Sequence, residues 1–245
     1  MGRRSRGIRR RGRAPRDTRC HETPQLTTPK LTPVNDTVLL TGFEPFDGAD
    51  TNPSWLAVRE IAETWSGSAA LRTAELPVEF GTAGDRLLEL IARYEPTIVI
   101  ATGLAEGREA VTVERVAINV ADARIADNAG ARPIDEPIVP GGPAAHFSSL
   151  PIKAIAAALR DDGVPAGVSQ TAGTFVCNDV FYRLMHATNG RSMRAGFIHV
   201  PAAAEHAAAS ATALPLATIV RGVRLAVETT VTTSRDLSRS EGAIS

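Results

Sequence analysis

The chain has 245 residues, 43% hydrophobic and 22% charged, enough to bury a sizeable core as one large α/β domain or two small ones. No apolar run approaches the length of a membrane span, and two cysteines exclude a disulfide framework or a cysteine-based zinc site. Net charge is zero but uneven: nine Arg and one Lys against three acids give residues 1–36 a net +7, leaving −7 on 37–245. An acidic body argues against a nucleic-acid partner; only the tail could serve one.

In chain order, "MGRRSRGIRRRGRAPRDTR" lacks the apolar core of a secretory signal and reads as a disordered tail, and the Pro/Thr-rich 21–36 as a linker. The folded body, 37–245, is expected to be a single α/β domain. "TVLLTGF" predicts a buried strand, followed by a loop that carries Phe43 and Phe46 among Gly, Pro and acids. Two large rings in such a loop ask for a purpose, since the chain has only seven Phe. "NPSWLAVREIAETW" predicts a helix with Asn52 as N-cap and Pro53 at its first position. "LRTAELPVEF" reads as a strand, "GTAGDRLLELIARYE" as an amphipathic helix and "TIVIATG" as a strand of the kind buried in parallel sheets.

"EAVTVERVAINVADARI" reads as extended, and 126–150, rich in Gly, Pro and Asp, as a long excursion. A helix over 150–163, a strand and turn over 166–175, a helix from Val176, the strand "AGFIHVP" and a last helix over 216–231 complete the chain. Strands alternating with helices predict a three-layer α/β/α sandwich with a mostly parallel central sheet. Chemistry in such sheets gathers at the carboxyl ends of the strands.

Three residues answer that rule. Cys177 begins a predicted helix, where the dipole and free N–H groups favour a thiolate. A small buried hydrophobe is the bland alternative. His199 falls near the end of "GFIHV"; His21, His146, His186 and His206 are worse placed for this cysteine. Glu114, beside Arg115 in "VTVERVAIN", is a carboxylate amid Val and Ile, and alternation puts it on one face with Thr112 and Val116. It needs a partner, either a catalytic histidine or a structural salt bridge. Nucleophile, base and orienting acid can meet here, each from a different strand end.

The blocks "TGFEPFDG…NPSW", "GLAEGREAVTVERVAIN", "GGPAAHFSSLPIKAI", "SQTAGTFVCNDVFY" and "GFIHVP" occur in that order. Together they resemble pyroglutamyl peptidase I (pyrrolidone-carboxylate peptidase), a family of cysteine peptidases, over most of 38–230. The resemblance implies a Cys177–His199–Glu114 triad and removal of N-terminal pyroglutamate from peptides. It implies no metal or other cofactor, no membrane, a cytoplasmic location and a homo-oligomer, dimer or tetramer. Phe43, Phe46, Asn52, Arg124 and Val176 are implied as substrate-binding, with Arg124 and the Cys177 N–H near the developing oxyanion. Glu106 stands where the family has a small residue, and Gln170 where Asn is common. A non-catalytic pyroglutamyl-peptide-binding protein, or another enzyme such as a nucleoside phosphorylase on a similar scaffold, stays open on sequence alone.

Overall fold

A computed structural model describes residues 1–2, 36–207 and 212–242. The tail and linker expected before residue 37, with Cys20 and His21, fall almost wholly in 3–35, outside the described residues. Residues 36–207 and 212–242 fall in one unit.

Strand β1 (Thr37–Phe43) is buried on both faces: Val38 and Leu40 enter one core, Leu39 and Phe43 the other. That is why it reads as a continuous apolar run instead of an alternation. Helix α1 (Pro53–Thr64) starts as expected. The Asn52 Oδ1 accepts from the Ser54 N–H at 3.0 Å, and Pro53 occupies a position whose N–H would have no partner. Strand β2 (Ala70–Leu76) is shorter than the expected 71–80. It ends at Pro77, which brings no ladder N–H, and the chain turns through Gly81 into α2 (Thr82–Tyr94). Leu87, Leu90 and Ile91 of α2 face inward within about one turn, and Glu95 closes the helix in a left-handed conformation.

Strand β3 (Ile98–Leu104) follows. The expected extended stretch 109–125 splits at Arg115 into β4 (Val111–Glu114), in the main sheet, and β5 (Val116–Ile118), which leaves it. The long excursion gives β5 a partner, β6 (Ala145–Phe147), and Asn119 clamps it by paired bonds to the Val139 N–H and C=O at 2.9 Å each. Then come α3 (Ile152–Asp161), β7 (Ala166–Ser169), α4 (Val176–Thr188) and β8 (Arg194–Val200). The two-residue strands β9 (Ala202–Ala203) and β10 (Ala213–Leu214), too short to leave a sequence pattern, precede α5 (Leu216–Thr232).

The main sheet has six strands in the order β2-β1-β3-β8-β4-β7. All pairings are parallel except β4 with β8. Helices α1, α3 and α5 pack on one face around Ile61, Ile155 and Val223; α2 and α4 pack on the other around Leu87, Phe181 and Leu184. This is the expected three-layer sandwich with a mostly parallel sheet.

The antiparallel pair corrects one expectation. Thr112 lies opposite His199 and Val113 opposite Ile198, so β4 runs from the rim of the sheet down into it. Glu114 therefore approaches from within the core, not from the crevice edge with the other two. Cys177 comes from the first turn of α4, not from a strand end.

Candidate active site

Gly103 and His199 are register partners on β3 and β8, near the carboxyl ends of both strands. His199 shares a sheet face with Phe197, whose ring lies 4.8 Å from the imidazole by centroid. Its Nδ1 lies 2.7 Å from the Glu114 Oε1. A carboxylate can only accept, so Nδ1 carries the proton and the Nε2 lone pair is free. Both side chains are buried, Glu114 completely. Burial holds the imidazole below its ordinary value of 6.5; the Glu114 bond pulls it up, and Arg108 pushes it down. His199 is thus a neutral base at rest.

Cys177 is the second residue of α4. It reaches the sheet because position 103 has no side chain: a Cβ there would lie 2.8 Å from Cys177 Sγ and 2.9 Å from the Phe197 ring. Close approach of sulfur to backbone, not a special dihedral, is what this glycine supplies. The turn before α4 does need a special dihedral. Gly173 has φ +77°, and its N–H donates to Thr171 Oγ1 at 3.1 Å. Among the described residues no side chain caps α4, and the N–H groups of Val176 and Cys177 have no side-chain acceptor there.

The thiol does not behave as its helix position suggests. Burial pushes it up to about 12, and Glu114 adds to the rise; Arg108 and its own N–H oppose them and lose. Desolvation in the cavity outweighs the helix terminus, so the sulfur is a neutral thiol at rest that needs a base to ionise it. Among the described residues no hydrogen bond joins Sγ to His199, although both line one cavity; such bonds are often loose until substrate binds.

That cavity, about 500 Å³, is walled by Phe43, Phe46, Val78, Phe175 and Val176, with Asp47, Glu106, Arg108, Asp122 and Arg124 among its polar groups. The rings and Val176 make one apolar wall of a cavity whose remaining lining is largely polar and charged.

The pyroglutamyl peptidase family pattern matches residues 36–233. The chain belongs to the pyroglutamyl peptidase family. It is 53% identical over 213 residues to the pyrrolidone-carboxylate peptidase of Cupriavidus pinatubonensis, covering 85% of this chain and 99% of that one. It is 58% identical over 172 residues to that of Clavibacter michiganensis, covering 70% and 81%. The crystal structure of pyroglutamyl peptidase I from Bacillus amyloliquefaciens superposes with a TM-score of 0.81 at 42% identity, covering 84% of this chain and all of that one.

The residues named from sequence as substrate-binding take different places around the cavity. Phe43 is 2% exposed and belongs to the core, its ring 6.3 Å from Phe197, so only an edge of it meets the cavity. Phe46 is half-buried, its ring tilted by 37° against Phe175 at 6.2 Å. Asn52 is buried and fully used in holding the loop. Its Nδ2 donates to the Glu44 carbonyl at 3.0 Å, while Oδ1 accepts from the Ser54 N–H and Oγ–H. Val176 is buried in the wall, and Arg124 is exposed at the mouth. Glu106 is exposed at the same mouth; Gln170 is outside it, accepting from Arg115 Nε at 2.8 Å. His146 and His186 pair with each other at 3.1 Å and do not line the cavity.

Sequence reasoning passed over three residues of the site. Arg108 bonds to Glu114 and lines the cavity. Phe175 is the middle ring between Phe46 and Phe80, the latter edge-on at 5.3 Å. Gly103 ends the run "TIVIATG", where a glycine in place of a β-branched residue was the available signal. Arg108 gave a weaker one, a cation in a Gly/Ala turn six residues before a buried acid.

Proposed function

We propose that this chain removes N-terminal pyroglutamate from peptides, using Cys177 as nucleophile, His199 as base and Glu114 as the group that orients it. One catalytic domain over 37–245 carries the activity. The observation that supports the reading most is the 2.7 Å bond between His199 Nδ1 and Glu114, in the cavity that Cys177 also lines. It leaves a basic nitrogen free beside a thiol that cannot ionise unaided.

In the first step His199 Nε2 takes the thiol proton as Sγ attacks the carbonyl that joins pyroglutamate to the next residue. The oxyanion that forms needs donors worth about 3 kcal/mol each. The uncapped N–H of Cys177 is one, and Arg124 at the mouth is the second. The imidazolium, steadied by Glu114, then protonates the leaving amine as its C–N bond breaks. Water, deprotonated by the same imidazole, hydrolyses the thioester and releases pyroglutamate.

Substrate choice follows from burial. Pyroglutamate has a neutral lactam where an ordinary peptide has an ammonium. The Phe46, Phe175 and Val176 walls suit the neutral lactam, whereas an ammonium buried against them, away from the Asp47, Glu106 and Asp122 carboxylates, would be costly. The resemblance carries with it a cytoplasmic place of action and a dimer or tetramer. Among the described residues no helix is long and apolar enough to cross a membrane. Ile134 and Phe147, exposed apolar side chains of the excursion, are surfaces such an assembly would cover, which light scattering on the purified chain checks.

Release of a fluorophore from a pyroglutamyl amide, with and without prior alkylation of Cys177, tests the activity. Cleavage that alkylation abolishes supports it. Stoichiometric binding without turnover would mark a binding protein instead.

A further inference from the structure

We propose that Arg108 is a positioning residue that holds the Glu114 carboxylate against His199 and ties it to the loop leading into Cys177. The inference rests on the function proposed above.

Arg108 lies in the loop after β3, and its guanidinium spans three segments. One nitrogen donates to Glu114 Oε1 at 2.6 Å and to Thr112 Oγ1, both on β4. The other donates at 3.0 Å to the carbonyl of Thr171, in the turn before α4. Only the planar fork of an arginine reaches acceptors on both sides in this way. Glu114 Oε1 also accepts from His199 Nδ1, so acid, base and Arg108 meet at one oxygen. The other oxygen, Oε2, is buried with no partner among the described residues. The carboxylate is thus held by one oxygen alone, and each of the two donors fixes where the other points.

The charge matters as much as the geometry. Glu114 is wholly buried, and a buried carboxylate needs a counter-charge. With His199 neutral, Arg108 is the cation bonded to it. The other charged groups lining the cavity, Asp47, Glu106, Asp122 and Arg124, make no hydrogen bond to Glu114. Arg108 also draws both the Cys177 thiol and the His199 imidazole downward. Without it, both should titrate at higher pH.

The test compares Arg108→Gln and Arg108→Lys with the parent full-length chain. It measures kcat and KM on a pyroglutamyl amide, the pH dependence of Cys177 alkylation by iodoacetamide, and thermal unfolding. For Arg108→Gln the expected result is a fall in kcat of about 10- to 100-fold, the size usual for a group that orients a catalytic side chain from behind. KM should move by less than about threefold, because the guanidinium N–H groups are spent on Glu114, Thr112 and Thr171 and not on substrate. Both the acid limb of activity and the alkylation midpoint should move to higher pH. Arg108→Lys should keep the alkylation midpoint and lose kcat only in part, since it restores charge without the fork.

An unmoved pH profile in Arg108→Gln, or a loss of activity no larger than its loss of folded protein, would overturn the proposal. Should Arg108→Gln not fold, Arg108→Lys decides. A severalfold lower kcat with the parent's alkylation profile supports the role, and the parent's kcat overturns it. Chains that alkylate with the expected shift yet never cleave the amide would defeat the proposed function and leave the role of Arg108 standing.

Discussion

His199 Nδ1 and Glu114 Oε1 lie 2.7 Å apart across two strands that run in opposite directions. Because β4 descends as β8 rises, the acid meets the base from beneath, where no water reaches it. A bond made in that setting fixes the imidazole's tautomer and plane more firmly than one made at the rim.

Glu114→Gln tests that bond. The amide can fill the same space but carries no charge to steady an imidazolium. The expected loss in kcat is ~10⁴-fold, the effect of the equivalent change in serine-protease triads. Steady-state kinetics on a pyroglutamyl amide, beside a circular dichroism spectrum unchanged from the parent, checks it.

The pH profile tests the state of the base. Burial lowers the His199 value below 6.5, so the imidazole stays neutral, and competent, into more acidic solution than a free histidine would. The acid limb of kcat/KM should therefore fall below pH 6.5, and a limb at or above it would count against the buried base. Stability has its own sign. Between the lowered value and 6.5 the unfolded chain binds a proton that the folded chain refuses. The unfolding midpoint should decline as pH drops through that window.

Gly103→Ala tests the seat of the nucleophile. The added methyl would stand 2.8 Å from Cys177 Sγ and 2.9 Å from the Phe197 ring, closer than real contacts allow. Something must move, at a cost of about 1–3 kcal/mol as for other overpacked sites. The expected variant is folded, melts earlier and turns over far more slowly; thermal unfolding and active-site titration with iodoacetamide together check it.

Phe43→Ala and Phe46→Ala should now differ. Phe43 is core and should lose about 3–5 kcal/mol of stability. Phe46 is half-buried against Phe175, and its removal should raise KM about tenfold or more while stability changes little. Urea unfolding and KM, measured on both, separate a core ring from a binding one.

Much of this was legible in the sequence, for physical reasons that differ by residue. Asn52–Pro53 announces a helix start because capping is local chemistry. The buried strands read plainly because "TVLL" and "TIVI" have no polar face to offer water. The direction of β4 was not legible. "VTVERV" alternates the same way whether it runs up or down, and only its neighbours in the sheet decide. For the same reason Glu114 could be singled out, but not its approach from below. The upward push of burial on the Cys177 thiol is not legible either, because a helix terminus is visible in sequence while the desolvation that opposes it is not. Arg108 escaped notice because its partners, Glu114 and the Thr171 carbonyl, lie six and 63 residues away.

The most direct measurement is the release of a fluorophore from a pyroglutamyl amide by the parent chain and by Cys177→Ala. The account predicts steady turnover by the parent and none above background for the variant, which should still fold. Undiminished turnover by Cys177→Ala would contradict it.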